Sequence, residues 1–481
     1  MLKKTVMIAA VLLLAACAAT PPPQAVEKET GPDLARLAKG VTLPPFETVT
    51  LSNGMRILLM EKHDVPMISF EARIRGGAVA DPENGVGTSA LFADLLRRGA
   101  GERDAAEFAR AVEGVGGILE TSSSKEAIVV AGQFMSRDAD LMIALLGDML
   151  MEPVLAKTEF DKLRARSIQQ ITAMKDTSLR ALTTIYGDAF LFGEHPYGRA
   201  VIGTEAGLAN VSYPDIRRYF IEQFGADRTV LAMVGDFDTA AMRARLEARF
   251  GGWRRAASGM PEIPEPQPAG GNRVLLVNKP GATQTYFYIG NVGVSRGYDA
   301  RAALDLVNTV FGGRFTSMLN TALRVESGLT YGAGSRVAQY TQPGSVAIVS
   351  FTRTEATGEA IDMALGVLET LHAKGLSPAQ LASAKAYVLG QFPPELETAG
   401  GIAERLATIA FYGLGRDDVD EYAGRVAAVT PADARTVIES VYPERDALVF
   451  VLIGDAAAIR DTAARYGTVT EMHITDPRFR P

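Results

Sequence analysis

The sequence predicts an α+β protein of two homologous α/β-sandwich halves. Each half is a mixed or antiparallel sheet packed by helices, and a linker joins the two in a clamshell. Three observations carry this. Strand-like and helix-like runs are segregated along the chain, which argues against a doubly wound parallel sheet. A break rich in proline and glycine, Ser258-Gly-Met-Pro-Glu-Ile-Pro-Glu-Pro-Gln-Pro-Ala-Gly-Gly271, has the composition of a linker. The stretches on its two sides repeat. Phe224-Gly225-Ala226-Asp227-Arg228 leads into the apolar run Thr229–Val234 and then Gly235-Asp236. Tyr442-Pro443-Glu444-Arg445-Asp446 leads into Leu448–Ile453 and then Gly454-Asp455. The two Gly-Asp pairs, at 235 and 454, lie 219 positions apart. The first strands match as well: 56–61 and 67–75 against 273–278 and 284–291. Two correspondences in register point to an internal duplication of about 220 residues.

At 481 residues the chain exceeds what one core holds. Its composition, 47% hydrophobic and 22% charged, is that of a globular protein. The 49 basic and 56 acidic residues are intermixed and give a net charge of −7, so nothing indicates a nucleic-acid surface. The N-terminus reads as an export signal: Lys3-Lys4, the apolar run Val6–Leu14, then Ala15-Ala16-Cys17. The run is too short for a stable membrane span. Leu-Ala-Ala-Cys resembles a bacterial lipobox, which implies cleavage before Cys17 and its lipidation. An ordinary signal peptide with a chance cysteine is the competing reading. Ala18 follows the cysteine, so the expectation is an outer-membrane anchor facing the periplasm of a double-membraned bacterium. Cys17 is the only cysteine, which leaves no intrachain disulfide. The expected organisation is a lipoprotein signal peptide at 1–16, a tether at 17–40, a first half at 41–255, a linker at 256–272 and a second half at 273–475.

Within the first half the patterns predict a hairpin at 118–122 and 127–134 and helices at 137–151, 157–174 and 214–223. Asp104 and Glu107 are spaced as a capping box. The second half repeats the order, with a hairpin at 330–339 and 345–353 and helical segments over 355–442. The stretch Gly87–Gly99 reads as an amphipathic helix closed by Gly99. Its chemistry-bearing face carries Ala90, Ala93 and Asp94.

Several motifs together resemble the insulinase/pitrilysin metallopeptidase family, whose members include mitochondrial processing peptidase. They are Leu51-Ser-Asn-Gly-Met-Arg56, Arg75-Gly-Gly77, His195-Pro-Tyr-Gly198 with Ile202-Gly203, Val234-Gly-Asp236 and Leu323-Arg-Val-Glu-Ser-Gly-Leu-Thr-Tyr331. Active members carry H-x-x-E-H on a first-half helix, with two histidines on zinc, a glutamate as base, and a distant glutamate completing the site. Anchored on Gly99, the resemblance places the histidines at Ala90 and Asp94, the base at Ala93, and the distant glutamate at Gln170. No ligand survives as such, and none of the four histidines (His63, His195, His372, His473) lies within a turn of another. The expectation is therefore no cofactor and no catalytic residue on this chain alone, with zinc only in a partner. Recruitment of His63 by Asp94 is the competing reading. His195 is expected to tie a turn.

In family members that work as unequal pairs, the zinc-free subunit has an Arg and a Tyr at the places of Arg324 and Tyr331, implying donors to a substrate carbonyl or oxyanion. Without the resemblance, an Arg in a last helical turn and a packed strand Tyr explain the same residues. Phe311-Gly312-Gly313-Arg314-Phe315 is expected to help shape a peptide groove. The resemblance implies a heterodimer with an H-x-x-E-H subunit that acts on peptides or unfolded chains, tethered to a membrane, with no nucleic-acid partner. The alternative is a peptidase-derived peptide-binding or structural scaffold with no part in proteolysis.

Overall fold

A computed structural model describes residues 42–481; Cys17 and the expected signal peptide and tether lie outside the described residues. The first half builds one six-stranded sheet and a two-residue hairpin. Its strands are β1 (Glu47–Thr50), β2 (Arg56–Glu61), β3 (Met67–Arg75), β4 (Gly99–Ala100), β5 (Arg103–Asp104), β6 (Ile118–Ser123), β7 (Ala127–Met135) and β8 (Thr229–Gly235). The second half has β9 (Arg273–Asn278), β10 (Gln284–Val292), β11 (Gly334–Val337), β12 (Ser345–Arg353), β13 (Val449–Gly454) and β14 (Thr468–His473). The sheet orders are β1-β2-β8-β3-β7-β6 and, read from the matching edge, β14-β9-β13-β10-β12-β11. Arg56 pairs with Val230 in parallel, as Arg273 does with Val449. Met67 pairs with Met135 antiparallel, as Gln284 does with Arg353. The duplication is thus a repeat of topology and register. The outer edge differs, because β1 joins β2 antiparallel whereas β14 joins β9 parallel.

The central strands Thr229–Gly235 and Val449–Gly454 are buried along their whole length. Strands with continuous apolar runs need a layer on both faces. Each half covers one face with its own helices and borrows cover for the other. In β8, Leu231 and Met233 share a core with Leu91, Phe92 and Leu95 of their own half. Val230, Ala232 and Val234 share the other core with Ile402 and Leu406 of the second half. The helix Ala399–Tyr412 packs across β3 and β8. Conversely, the helix Leu179–Phe192 packs across β10 and β13, and Leu182, Tyr186 and Ala189 meet Val451 and Ile453. The exchange is reciprocal.

Arginines on the receiving sheet hold the C-terminal end of each exchanged helix, where carbonyls lack intrahelical partners. Arg56 donates to the Ala410 carbonyl at 3.0 Å, and Arg75 donates to the Phe411 carbonyl while lying over the Phe411 ring. At the other exchange Arg273, the counterpart of Arg56, donates to the Leu191 carbonyl at 2.8 Å and lies over Phe190. The linker is docked as well. Ile263 and Ala269 pack against Leu191, Phe192, Tyr197 and Val449, and Asn291 brackets Ala269, accepting its N–H at Oδ1 at 2.9 Å and donating from Nδ2 to its carbonyl at 3.3 Å. His195 ties its turn as expected, accepting the Tyr197 N–H at Nδ1 and reaching the Pro264 carbonyl from Nε2 at 2.8 Å. The Asp104–Glu107 capping box forms, at 2.8 and 3.0 Å.

Most boundaries fall within a few residues of expectation, and one difference bears on the site. Tyr331 does not open a strand: β11 begins at Gly334. Side chains, not ladder bonds, pin the preceding segment to β12. Thr352 Oγ1 donates to the Leu329 carbonyl at 2.7 Å and Ser350 Oγ to the Gly332 carbonyl at 3.0 Å. Among the described residues no helix is long and apolar enough to cross a membrane.

Candidate functional site

The helix resembling a zinc-binding one spans Thr88–Leu96. It starts where the buried Asp81 carboxylate accepts the Gly87 and Ser89 N–H groups, each at 2.7 Å. Burial pushes the Asp81 carboxyl up to about 7, and the two N–H bonds oppose that. Gly87 has φ 111°, and a Cβ there would stand 2.7 Å from Leu208 and 2.8 Å from Gly203. Phe92 nests between Tyr219 and Phe224, at ring separations of 5.1 and 5.0 Å. The helix is therefore firmly seated.

Its chemistry-bearing face carries one carboxylate and no imidazole. Ala93 is buried, and its carbonyl accepts from Thr121 Oγ1 at 2.6 Å. Ala90 offers a methyl group. Asp94 is half-buried; burial raises its carboxyl while the charges of Arg97, Arg98 and Arg166 lower it. Gln170 lies on the neighbouring helix Lys157–Thr177 with its side chain exposed. His63 does not serve Asp94. Its Nδ1 meets Asp236 at 2.7 Å and its Nε2 meets Glu61 at 3.2 Å, which raises its pKa. A catalytic zinc takes three protein ligands and an open position. Ala90, Ala93, Asp94 and Gln170 supply one carboxylate and one amide, so these residues do not fit the metal. Among the described residues no group of His, Cys, Asp and Glu gathers as metal ligands would.

The second half presents a different site. Ser317 caps the turn Met318–Asn320, and the chain continues as a π-helical segment Thr321–Glu326 that carries Arg324. Such wide turns are rare, and frequent at functional sites. The Arg324 guanidinium lies between two rings, 4.7 Å from the Phe315 centroid and 4.5 Å from that of Tyr331. Both rings stand out into solvent, at 62% and 74% exposure. The structure thus brings Arg324 and Tyr331 together on the wall of a cavity of about 640 Å³. Gly312, Gly313, Arg314 and Phe315 line it too. Gly312 is required there, since a Cβ would sit 2.2 Å from the Ser335 nitrogen. Ala90, Ala93, Asp94 and Gln170 are not among the lining residues.

Sequence reasoning missed several contributors, among them Arg180, Thr183 and Thr184 from the exchanged helix Leu179–Phe192, Arg336 from β11, and Tyr387. Nothing local marks the residues of the exchanged helix, because the exchange that brings it across is a tertiary event, whereas Arg336 lies only five residues after Tyr331.

Two family models match in tandem: insulinase (peptidase family M16) over residues 56–205, and the peptidase M16 inactive domain over residues 210–388. The chain belongs to the peptidase M16 (insulinase) family. An uncharacterized zinc protease of Streptomyces coelicolor is 24% identical, over 83% of this M16 chain and 88% of that protein. The non-peptidase homolog YmxG of Helicobacter pylori is 23% identical, over 74% of this chain and 81% of its own. Among solved structures, a peptidase M16 inactive domain from Pseudomonas fluorescens superposes with a TM-score of 0.80 at 20% identity, covering 85% of this chain and 98% of that one. That likeness extends the shared M16 fold over both halves.

Proposed function

We propose that this chain is the zinc-free subunit of a heterodimeric M16 zinc metallopeptidase, supplying chamber wall and substrate-binding donors to a partner that carries H-x-x-E-H. One observation supports this above the others. The helix face expected to hold zinc carries two methyl groups and a carboxylate, while Arg324 and Tyr331 remain poised together on an open cavity. A guanidinium held near two rings, with no carboxylate partner among the described residues, has N–H donors left for a ligand. The Tyr331 phenol stands beside it. In the assembly this pair binds the carbonyl of an extended peptide and stabilises the oxyanion that forms there. The substrates are peptides or unfolded chains, and the membrane tether is lipid on Cys17, with the protein in the periplasm at the outer membrane.

The test is the purified pair. With the H-x-x-E-H subunit present, combining Arg324→Ala with Tyr331→Phe is expected to lower kcat/KM on an unstructured peptide about 100-fold. Undiminished turnover would mean that the pair has no donor role.

The name of the Helicobacter relative favours a second reading, a peptide-binding or structural scaffold outside proteolysis. On that reading the chain binds peptide but accelerates no H-x-x-E-H relative.

A further inference from the structure

Resting on the reading of the Arg324–Tyr331 cavity as a peptide site, we propose that it selects segments rich in Asp and Glu, through the guanidinium groups of Arg180, Arg314 and Arg336. The chain carries a net charge of −7, yet this cavity is lined by four arginines and by no carboxylate. Elsewhere some buried or half-buried arginines find acids, as Arg301 does with Asp418 at 2.5 Å and Arg249 with Asp148 at 2.6 Å, while others, such as Arg56, Arg228 and Arg273, donate to backbone carbonyls. Among the described residues none of the four cavity arginines forms an ion pair. Aromatic rings and hydroxyls hold three of them instead. Arg324 lies between Phe315 and Tyr331, Arg180 lies 5.7 Å from the Phe351 centroid, and Arg314 lies 5.8 Å from that of Tyr387. Arg314 also donates to Ser383 Oγ at 3.0 Å.

Stacking uses the face of a guanidinium and spares most of its edge donors, which pair with carboxylates in bidentate fashion. The cavity is thus a set of positioned cations without counter-charges. The exchanged helix adds to it. Arg180, Thr183 and Thr184 come from the first turns of Leu179–Phe192, whose amino end carries partial positive charge. Exposed Phe315, Tyr331 and Tyr387 on the same wall suit a peptide with apolar residues between its acids, more than a bare inorganic anion.

The experiment is fluorescence anisotropy on the purified full chain in detergent, without partner. The probes are a labelled peptide of alternating Glu and Ala with an amidated C-terminus, its Gln counterpart amidated and with a free C-terminus, and a single-stranded oligonucleotide. The Glu peptide is expected to bind about tenfold or more tightly than either Gln peptide, and to weaken steeply as salt rises from about 0.05 to about 0.5 M. Arg180→Glu with Arg336→Glu, both at exposed positions, is expected to abolish that preference at an unchanged melting temperature. The charge-neutral pair Arg180→Gln with Arg336→Gln should reduce it partway. Equal binding of Glu and Gln peptides, indifference to the double variants, or tighter binding of the oligonucleotide each overturns the proposal. So does a gain that appears only with the free C-terminus, which would assign the cations to a terminal carboxylate. Equal peptide binding that Arg324→Ala abolishes leaves the peptide-site reading standing, whereas no peptide binding at all removes both.

Discussion

At the scale of residues, two positions show how tightly the second-half site and the first-half helix are built. Gly312 allows the segment before Arg314 to lie against the Ser335 backbone, so Gly312→Ala forces one of the two to move. The expected cost is about 1–3 kcal/mol of stability with a loss of peptide binding, read by urea unfolding and anisotropy. Asp81 is the second position. Its carboxyl rises from an ordinary 3.8 to about 7 because it is buried. A raised carboxyl favours the protonated folded state, so its contribution is fully present below about pH 4 and is lost as pH rises towards 7. Stability should therefore decline across that window, and Asp81→Asn, which cannot ionise, should flatten this part of the pH profile in denaturant titrations. The Asn variant should also lose a share of the cap on the helix Thr88–Leu96.

At the scale of elements, the exchanged helices Leu179–Phe192 and Ala399–Tyr412 carry the architecture. Leu406 and Leu182 are fully buried where they meet the other half's sheet. Leu406→Ala is expected to cost about 2–5 kcal/mol, as for other buried leucines, and to loosen the seat of its helix on the first half's sheet. Arg273→Ala removes a charged donor from the end of the Leu179–Phe192 helix and should cost about 1–3 kcal/mol. Because that helix also presents Arg180 to the cavity, the Arg273 variant should weaken peptide binding from a distance. Unchanged affinity in a folded Arg273→Ala protein would show the helix to be placed without it.

At the scale of the whole molecule, reciprocal exchange makes two halves one folding unit. A half expressed alone leaves one sheet face bare, because its cover is on the other half. Residues 41–255 and 273–475 are therefore expected to be soluble and ordered only when produced together, and the intact chain is expected to unfold in one cooperative transition. Two separated calorimetric transitions would show the halves to be independent. The proposed anchorage belongs to this scale as well: if Cys17 carries the lipid, Cys17→Ser is expected to release the protein from the membrane fraction while leaving the fold untouched, as membrane fractionation and circular dichroism would show.

The sequence by itself determined much of this protein. Apolar alternation and turn residues placed β2, β3, β9 and β12 at their observed ends, because strand periodicity is local. The repeat of Gly235-Asp236 at Gly454-Asp455 disclosed the duplication, since a duplicated topology keeps its spacing. The loss of metal donors was also legible, because two ligands and the base sit within one helical turn. Tyr331 was misplaced by three residues because Thr352 and Ser350, distant in sequence, pin its segment by side-chain bonds. Only the tertiary structure decided which helix covers which sheet. The fully apolar runs of β8 and β13 announced that both faces are buried without saying by what, since burial is non-directional. That choice carried Arg180 across the molecule to join Arg314, Arg324 and Arg336, and so made a cationic site in an acidic chain.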